Sequence, residues 1–227
     1  MAWEAARTVA ELLAARPDAR VGFPTGRTPL PFFAALAERR REGFVFDRLR
    51  PFALDEYRGL PPSAPQTFGS FLRRHLVEPL GIDPGRLLFV DGSAADPEAE
   101  CRRYEALVGG GGADLVILGL GANGHIAFNE PGSGPDSRTR VVDPTPEPIA
   151  GAAADFPAGA AVPRQALTIG VATILEARAV MLLVTGGSKA RILRAALEGP
   201  ETPEVPASFL RRHPALRVLA DEAAAQG

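Results

Sequence analysis

Residues 115–120 read LVILGL, an apolar run with no polar side chain on either face of a strand. Strands buried on both faces are typical of parallel sheets that helices cover on each side. Similar short apolar segments occur at 20–23, 50–54, 86–90, 166–170, 179–184 and 216–220. Between them lie segments with helical spacing, at 5–13, 30–41, 68–80 (with Thr67 as its cap), 97–108 and 189–197, and shorter ones after 170 and near 208–212. This alternation predicts an α/β fold: a doubly wound, mostly parallel, Rossmann-like sheet with helices on both faces.

Length and composition indicate one ordinary globular domain. The chain has 227 residues, of which 46% are hydrophobic and 23% charged, and these values exclude a disordered or fibrous protein. The net charge of −2 provides no basic surface for nucleic acid or an anionic membrane. We expect a single domain over residues 1–227, in which any phosphate ligand would need a local site.

Cysteine usage and the N-terminal sequence favour a cytoplasmic protein. Cys101 is the only cysteine, which excludes an intramolecular disulfide and a zinc site built on cysteines. The first residues, MAWEAARTVAELLAAR, mix charges with apolar positions as an amphipathic helix does and a signal peptide does not. No apolar run reaches the ~18 residues of a membrane span. We therefore expect a small-molecule partner rather than a nucleic acid or a membrane.

Four polar segments fall at the carboxyl ends of predicted strands, where open parallel sheets bind ligands. They are TGRTP at 25–29, DEYRG at 55–59, GLGANGHIAFNEP at 119–131 and TGGSK at 185–189. TGRTP and TGGSK place glycines and hydroxyls before helix N-termini, as small anion sites do, and Lys189 is the sole lysine among 25 basic residues. These two segments predict a site for a monophosphate rather than a nucleotide triphosphate. The alternative for TGRTP is an ordinary turn in which Thr28 caps the helix.

Two further segments carry candidates for proton transfer. Asp55 follows the apolar PFAL, and partial burial there would raise its pKa towards that of a useful base; the alternative is a solvated turn or a helix cap. His125 lies between glycines and apolar residues, with Asn123 and Glu130 close enough along the chain to orient its ring. The alternative for His125 is a core histidine whose hydrogen bonds are satisfied.

The stretch 141–163 is rich in proline, alanine and glycine, and is too rich in proline for a long helix. A loop of this length directly after the richest polar motif predicts a lid over the site. The alternative is a passive surface loop.

The polar motifs and their order carry a resemblance that covers nearly the whole chain, from about residue 22 to 222. The segments are FPTGRTP, FALDEYRGLP, AECRRYE, GLGANGHIAFNEPGS, SRTR, ALTIGVATILEA, VMLLVTGGSKARILRAALEG and SFLRRHPALRVLADE. In these the sequence resembles the glucosamine-6-phosphate deaminase (isomerase) family. The related 6-phosphogluconolactonases typically continue the GH turn as GHTASLFP, whereas this chain has GHIAFNEP.

The resemblance implies an enzyme of amino sugar metabolism, acting in N-acetylglucosamine catabolism. It would convert glucosamine 6-phosphate and water into fructose 6-phosphate and ammonia, with neither a metal nor an organic cofactor. By the same resemblance Asp55 moves a proton between C2 and C1, His125 opens the sugar ring, and Glu130 is its supporting carboxylate. The resemblance also implies that Thr25, Gly26, Arg27, Thr28 and Lys189 bind the phosphate. Asn123 stands where the family often has Asp; it can orient the ring but stabilises the charged imidazolium less.

Two departures from the family concern the phosphate. An arginine common in the family's lid falls within 152–155, where this chain has none, and Arg27 takes a position that is usually Gly or Ser. We hypothesise that Arg27 supplies the missing charge, because a guanidinium binds phosphate with two parallel hydrogen bonds. The alternative is that the altered site accepts a different sugar phosphate.

The C-terminal sequence bears on the oligomeric state, and two alternative functions are consistent with the motifs. The chain ends soon after LADEAAAQG, without the longer tail of allosteric hexameric members, so we expect a monomer or small homo-oligomer. Another sugar-phosphate isomerase or lactonase of the same superfamily remains an alternative. So does a sugar-phosphate sensor that binds without turnover.

Overall fold

A five-stranded parallel sheet lies at the centre of the protein, in a computed structural model that describes residues 1–144, 156 and 162–226. Its strand order is β2-β1-β4-β7-β8, and every neighbouring pair is parallel. The order reverses direction between β1 and β4, which makes that gap the expected place for a ligand. The strands are β1 (Arg20–Phe23), β2 (Arg50–Ala53), β3 (Asp55–Tyr57), β4 (Leu115–Gly119), β5 (Arg140–Val142), β6 (Ala166–Thr168), β7 (Val180–Val184) and β8 (Leu216–Ala220).

The helices begin and end close to the positions that the sequence predicts. Thr67 is the predicted cap, since its hydroxyl oxygen accepts a hydrogen bond from the Ser70 N–H at 3.1 Å. The α-helices are α1 (Ala2–Ala15), α2 (Leu30–Arg41), α3 (Phe68–Leu72), α4 (Glu78–Leu80), α5 (Pro97–Val108), α6 (Val171–Leu175), α7 (Ala190–Glu198) and α8 (Glu222–Ala225). A π-helical segment, Arg73–Val77, joins α3 to α4, and 3₁₀ turns span Pro84–Arg86, Gly187–Lys189 and Pro206–Arg212.

Helices cover both faces of the central sheet. Leu115 and Ile117 of β4 belong to a buried cluster that includes residues of α1 and α2. Val116 and Leu118 belong to a second cluster, with residues of α5 and α7. Because successive strand residues point to opposite faces, this split shows that LVILGL is buried on each side. The structure confirms the predicted doubly wound α/β fold.

A second, antiparallel sheet has the order β3-β6-β5 and corrects one prediction. The sequence places DEYRG in a loop, but Asp55–Tyr57 pairs with β6, Asp55 opposite Thr168 and Tyr57 opposite Ala166. The partner strand lies more than a hundred residues away, so nothing in the local sequence reveals the pairing. The strand fixes the side-chain directions, with Asp55 and Tyr57 on one face and Glu56 on the other.

The predicted strand at 86–90 is wrong. Its residues form a single parallel bridge, in which Leu88 N–H donates to the Pro51 carbonyl and the Leu88 carbonyl accepts from Ala53 N–H. Residues on either side of this bridge make other contacts, which prevents a longer strand. A 3₁₀ turn ends at Arg86, and Asp91 N–H donates to the Glu100 carboxylate at 2.7 Å instead of to a strand.

The predicted lid at 141–163 lies mostly outside the described residues. Val141 and Val142 belong to β5, so the regular structure extends two residues into the predicted segment. Phe156 is described, and its ring packs against Tyr57 at a centroid distance of 5.7 Å. No helix in the described ranges is long and apolar enough to cross a membrane.

Candidate active site

A cleft of about 780 Å³ opens at the carboxyl-terminal edge of the central sheet. Residues that follow β1, β2, β4 and β7 line it, which brings together the four polar segments singled out in the sequence. Its walls include Asp55, His125 and the five residues of the predicted phosphate site, Thr25, Gly26, Arg27, Thr28 and Lys189. Asn123 and Glu130 are connected to the cleft through their contacts with His125.

The loop at 25–28 runs along the cleft before α2. Gly26 has a φ of +86°, in the left-handed region that glycine adopts without a steric penalty. The N-cap of α2 is Pro29, without a side-chain cap, so Thr28 is not the helix cap that the ordinary-turn alternative required. Thr28 lines the cleft instead.

In the TGGSK segment, Lys189 is the last residue of a short 3₁₀ turn, Gly187–Lys189, which directly precedes α7. Gly186 has a φ of +90°, and its N–H donates to both carboxylate oxygens of Asp221, at 3.1 and 3.0 Å. Asp221 follows β8 and also caps α8. The loop that carries Lys189 is therefore tied to the end of the neighbouring strand.

Asp55 is buried at the floor of the cleft, with 7% of its surface exposed. Burial raises its pKa from 3.8 to about 8, and the nearby Glu56 carboxylate contributes in the same direction. The residue lies in a strand, so it is neither the solvated turn nor the helix cap of the alternative interpretation. A carboxyl group with this proton affinity is suited to exchanging protons near neutral pH.

His125 is held by a hydrogen-bond network that fixes its tautomer. The backbone N–H of His125 donates to Asn123 Oδ1 at 3.1 Å, which identifies that side-chain atom as the oxygen. The same oxygen lies 2.7 Å from His125 Nδ1, so Nδ1 carries the hydrogen and Nε2 is the basic nitrogen of the neutral ring. Asn123 Nδ2 donates to Glu130 Oε2 at 2.7 Å, and Glu130 Oε1 lies 3.4 Å from His125 Nδ1.

The backbone around His125 is shaped to accommodate the ring. A Cβ atom at Gly121 would lie 2.3 Å from the imidazole, so a larger residue there would displace it. Ala127, which also lines the cleft, has a φ of +50°, the sole positive value at a non-glycine position in the described ranges. Strained backbone of this kind concentrates at functional sites, where the surrounding structure maintains it.

Asn129 connects the loop that carries His125 to the second sheet through hydrogen bonds. Its buried amide donates to the carbonyls of Ile126 and Ile169, at 3.0 and 2.9 Å. Its oxygen accepts a hydrogen bond from Arg140 of β5 at 2.9 Å. The NEP and SRTR motifs thus hold His125 and Glu130 in place through contacts that sequence spacing alone does not show.

A family model described as glucosamine-6-phosphate isomerases/6-phosphogluconolactonase matches residues 1–218. The chain belongs to this family. Among curated members, the glucosamine-6-phosphate deaminase of Streptomyces coelicolor is 47% identical over 223 residues, covering 97% of this chain and 85% of the relative. The protein of the same name from Rhodopirellula baltica is 45% identical over 219 residues, covering 96% of this chain and 87% of the relative.

Solved structures of the family share the fold. A monomeric glucosamine-6-phosphate deaminase superposes with a TM-score of 0.93 at 38% identity, over 99% of this chain and 94% of the other. The 6-phosphogluconolactonase of Thermotoga maritima superposes with a TM-score of 0.72 at 27% identity, over 96% and 93%. The resemblance read from the motifs is therefore confirmed, and the match is higher on the deaminase side of the family.

This family member also has a wall of the cleft that the sequence analysis missed. Rings of Tyr57, Phe68 and Phe128 pack at centroid distances of 4.7 to 5.9 Å and line one side. Arg74 and His75 of the π-helical segment also reach the cleft. The spacing of 68, 71 and 75 after the Thr67 cap could have indicated one common helix face.

Proposed function

We propose that this protein is a glucosamine-6-phosphate deaminase, which converts glucosamine 6-phosphate and water into fructose 6-phosphate and ammonia. The observation that carries the proposal is the single cleft shared by Asp55, His125 and Lys189. Deaminases at 47% and 45% identity, and one with a TM-score of 0.93, support this activity over that of the lactonases.

The proposed chemistry begins with ring opening at His125. Nε2, the basic nitrogen in the tautomer that Asn123 selects, accepts the proton of the C1 hydroxyl and returns one to the ring oxygen. The C1–O5 bond breaks and an open-chain aldehyde forms. Glu130 faces the ring from the Nδ1 side and stabilises the imidazolium while it carries the extra proton.

Asp55 then acts as the base of the isomerisation. Its carboxylate removes the proton from C2, the C2–H electron pair forms a C1–C2 double bond, and the C1=O π pair moves to O1, which takes a proton from the C2 ammonium group. The Asp55 carboxyl group then delivers its proton to C1 while the nitrogen lone pair forms a C2–N double bond. The product is a ketose imine at C2; water adds to it and ammonia leaves. A well-placed base contributes about 10² to 10⁴ in rate.

We place the phosphate where Thr25, Gly26, Arg27, Thr28 and Lys189 line the cleft. Hydroxyls, backbone N–H groups and two cations suit a dianion, whereas the carboxyl groups suit the amine at C2. Residues 152–155, where the resemblance would place a lid arginine that this chain lacks, lie outside the described residues. The hypothesis that Arg27 provides this charge therefore rests on its own position in the cleft.

We also propose a single catalytic domain over residues 1–227 that works as a monomer in the cytoplasm. The monomeric deaminase of matching fold supports the first two statements, and a free, buried Cys101 fits a reducing compartment. Size-exclusion chromatography with light scattering should give one peak at the mass of one chain. A stable dimer or hexamer would overturn the monomer.

The test of the activity is ammonia release from a panel of sugar phosphates. We expect rapid release from glucosamine 6-phosphate, with fructose 6-phosphate formed in equal amount. We expect no hydrolysis of 6-phosphogluconolactone. The variant Asp55→Asn should bind the substrate and release ammonia at least about 10²-fold more slowly. Equal rates for Asp55→Asn and the parent, or lactone hydrolysis without ammonia, would contradict the proposal.

A further inference from the structure

Glu56 is a buried acid that the proposed chemistry does not use. It follows Asp55 in β3, but its side chain points to the other face of the strand and away from the cleft. Only 4% of its surface is exposed. Carboxyl groups are buried to this extent only where hydrogen bonds or charges compensate them, so the contacts of Glu56 need an explanation.

Three backbone N–H groups donate to the Glu56 carboxylate. Tyr57 N–H and Phe68 N–H reach Oε1 at 2.9 and 3.0 Å, and Gly69 N–H reaches Oε2 at 3.0 Å. Two of these donors belong to the first turn of α3 and one to β3 itself. The carboxylate therefore connects the strand that carries Asp55 to the helix that carries Phe68 of the aromatic wall.

Close packing leaves this connection little freedom. A Cβ atom at Gly92 would lie 2.0 Å from the Tyr57 carbonyl oxygen and 3.2 Å from Glu56 Cγ. At Gly69, a Cβ atom would lie 3.7 Å from Glu56 Oε2. The segment at 92 therefore packs directly against β3 and the Glu56 side chain.

We propose that Glu56 is a positioning residue for Asp55, which fixes β3 against α3 and places a second negative charge close to the base. The proposal rests on the proposed function, since it concerns the residue assigned there as the base. It predicts that Glu56 affects how tightly Asp55 holds its proton as well as where Asp55 lies.

The charges around the two groups define what a variant should change. Burial raises the pKa of Glu56 to about 7, the three N–H donors oppose that rise, and the Asp91 charge adds to it. Above this pH the Glu56 charge contributes to the raised pKa of Asp55. Among the described residues, the other titratable or charged groups that line the adjoining cavities or act on the pair are Arg73 and Asp91 on the Glu56 side, Tyr104 near Asp55, and Tyr57, Arg27, Arg74, His75, His125 and Lys189 around the cleft.

The test compares Glu56→Gln with Thr67→Ala, which removes a neutral cap from the same helix. In Glu56→Gln one nitrogen replaces an acceptor oxygen, so both variants lose hydrogen bonds to α3. Only the first removes a charge. We expect the acid limb of kcat/KM to move down by about half a pH unit or more in Glu56→Gln, and to stay in place in Thr67→Ala. The ratio of Glu56→Gln to parent activity should therefore be highest at about pH 7 to 8, where Glu56 is charged while Asp55 titrates, and lower at pH 6 and at pH 9. An unmoved limb in Glu56→Gln, or an equal shift in Thr67→Ala, would overturn the proposal.

A titration without substrate separates this proposal from the proposed function. The ¹³C carboxyl signal of Asp55, assigned by its loss in Asp55→Asn, should titrate at a lower pH in Glu56→Gln than in the parent protein. Because the interaction is reciprocal, the Glu56 signal should also shift to a lower midpoint in Asp55→Asn, and this arm does not depend on the folding of Glu56→Gln. Midpoints unchanged in both variants would refute the coupling, whatever the substrate of the enzyme is.

Discussion

Arg27 lines the cleft and belongs to the phosphate site that we propose. If it supplies a charged hydrogen bond to phosphate, Arg27→Gly should raise KM for glucosamine 6-phosphate by roughly 10- to 100-fold, equivalent to about 1.5 to 3 kcal/mol. The kcat value should change little, because the phosphate does not react. Steady-state kinetics measures both constants.

Arg27→Lys is the matched control for that variant. It keeps the positive charge but loses the planar fork that binds two phosphate oxygens, so its KM should lie between those of the parent and Arg27→Gly. A KM that stays at the parental value in Arg27→Gly would refute the hypothesis that Arg27 compensates for the lid.

Asn123 connects His125 to Glu130. Its oxygen holds His125 Nδ1 at 2.7 Å and its nitrogen holds Glu130 Oε2 at 2.7 Å. Asn123→Ala removes both contacts and should lower kcat about 10- to 100-fold, with KM within about 3-fold, because ring orientation matters in the proton transfers.

Asn123→Asp tests the same network in a milder way. It keeps an acceptor for His125 but places a second carboxyl oxygen 2.7 Å from Glu130 Oε2, so the two groups must share a proton. We expect a kcat closer to that of the parent and a new pH dependence between pH 5 and 8 in the rate profile. An Asn123→Ala enzyme with full kcat would show that His125 needs no such support.

At the scale of single elements, the sequence correctly predicted those features that depend only on neighbouring residues, such as the ends and caps of helices. Helix α2 begins and ends as predicted, and Thr67 caps α3, because capping and apolar spacing are written within a few residues. Strand β3 was missed because its partner β6 is distant in the chain. A strand was predicted at 86–90, but only a single bridge forms at Leu88, because the segment begins within a 3₁₀ turn that ends at Arg86.

Gly92 provides a test of how strongly β3 is held. Its backbone has no positive φ, but a Cβ atom would lie 2.0 Å from the Tyr57 carbonyl oxygen, so Gly92→Ala must displace β3 and Asp55 with it. Overpacking of this kind costs about 1–3 kcal/mol of stability, and kcat should fall as well. Gly134→Ala is the control, since a Cβ atom there meets nothing within 4 Å. Equal free energies of urea unfolding and equal kcat values for the two variants would contradict the argument.

At the scale of the whole molecule, the position of the site followed from topology. Parallel strands predict one ligand-binding edge, and the four polar segments do meet there. The aromatic side of the cleft could not be predicted in the same way. Phe128 and Tyr57 lie on different elements, and their rings come together at 5.7 Å only after β3 has paired with β6.

The buried acids should make the stability of the whole protein depend on pH. The pKa of Asp55 is about 8 in the folded protein against an ordinary 3.8, and that of Glu56 is about 7 against 4.5. Between these limits the folded state binds more protons than the unfolded state, so the free energy of unfolding falls as pH rises from about 4 to 8. Each pKa unit corresponds to about 1.4 kcal/mol, which makes the contribution of Asp55 on the order of a few kcal/mol.

Asp55→Asn removes the larger of these two contributions and keeps the shape of the side chain. Its free energy of unfolding should exceed that of the parent by a margin that is at least about 2 kcal/mol larger at pH 9 than at pH 5, because Asp55 ionises above about pH 4 in the unfolded chain but only at about pH 8 in the folded protein. Urea unfolding at both pH values measures this difference, and Asp136→Asn, at an exposed position, should stay within about 0.5 kcal/mol of the parent at each. A gain for Asp55→Asn that is equal at pH 5 and pH 9 would mean that the base is ionised in the folded protein throughout this range. A gain that grows from pH 5 to pH 9 would mean that the protein keeps Asp55 buried in the cleft at the expense of its own stability.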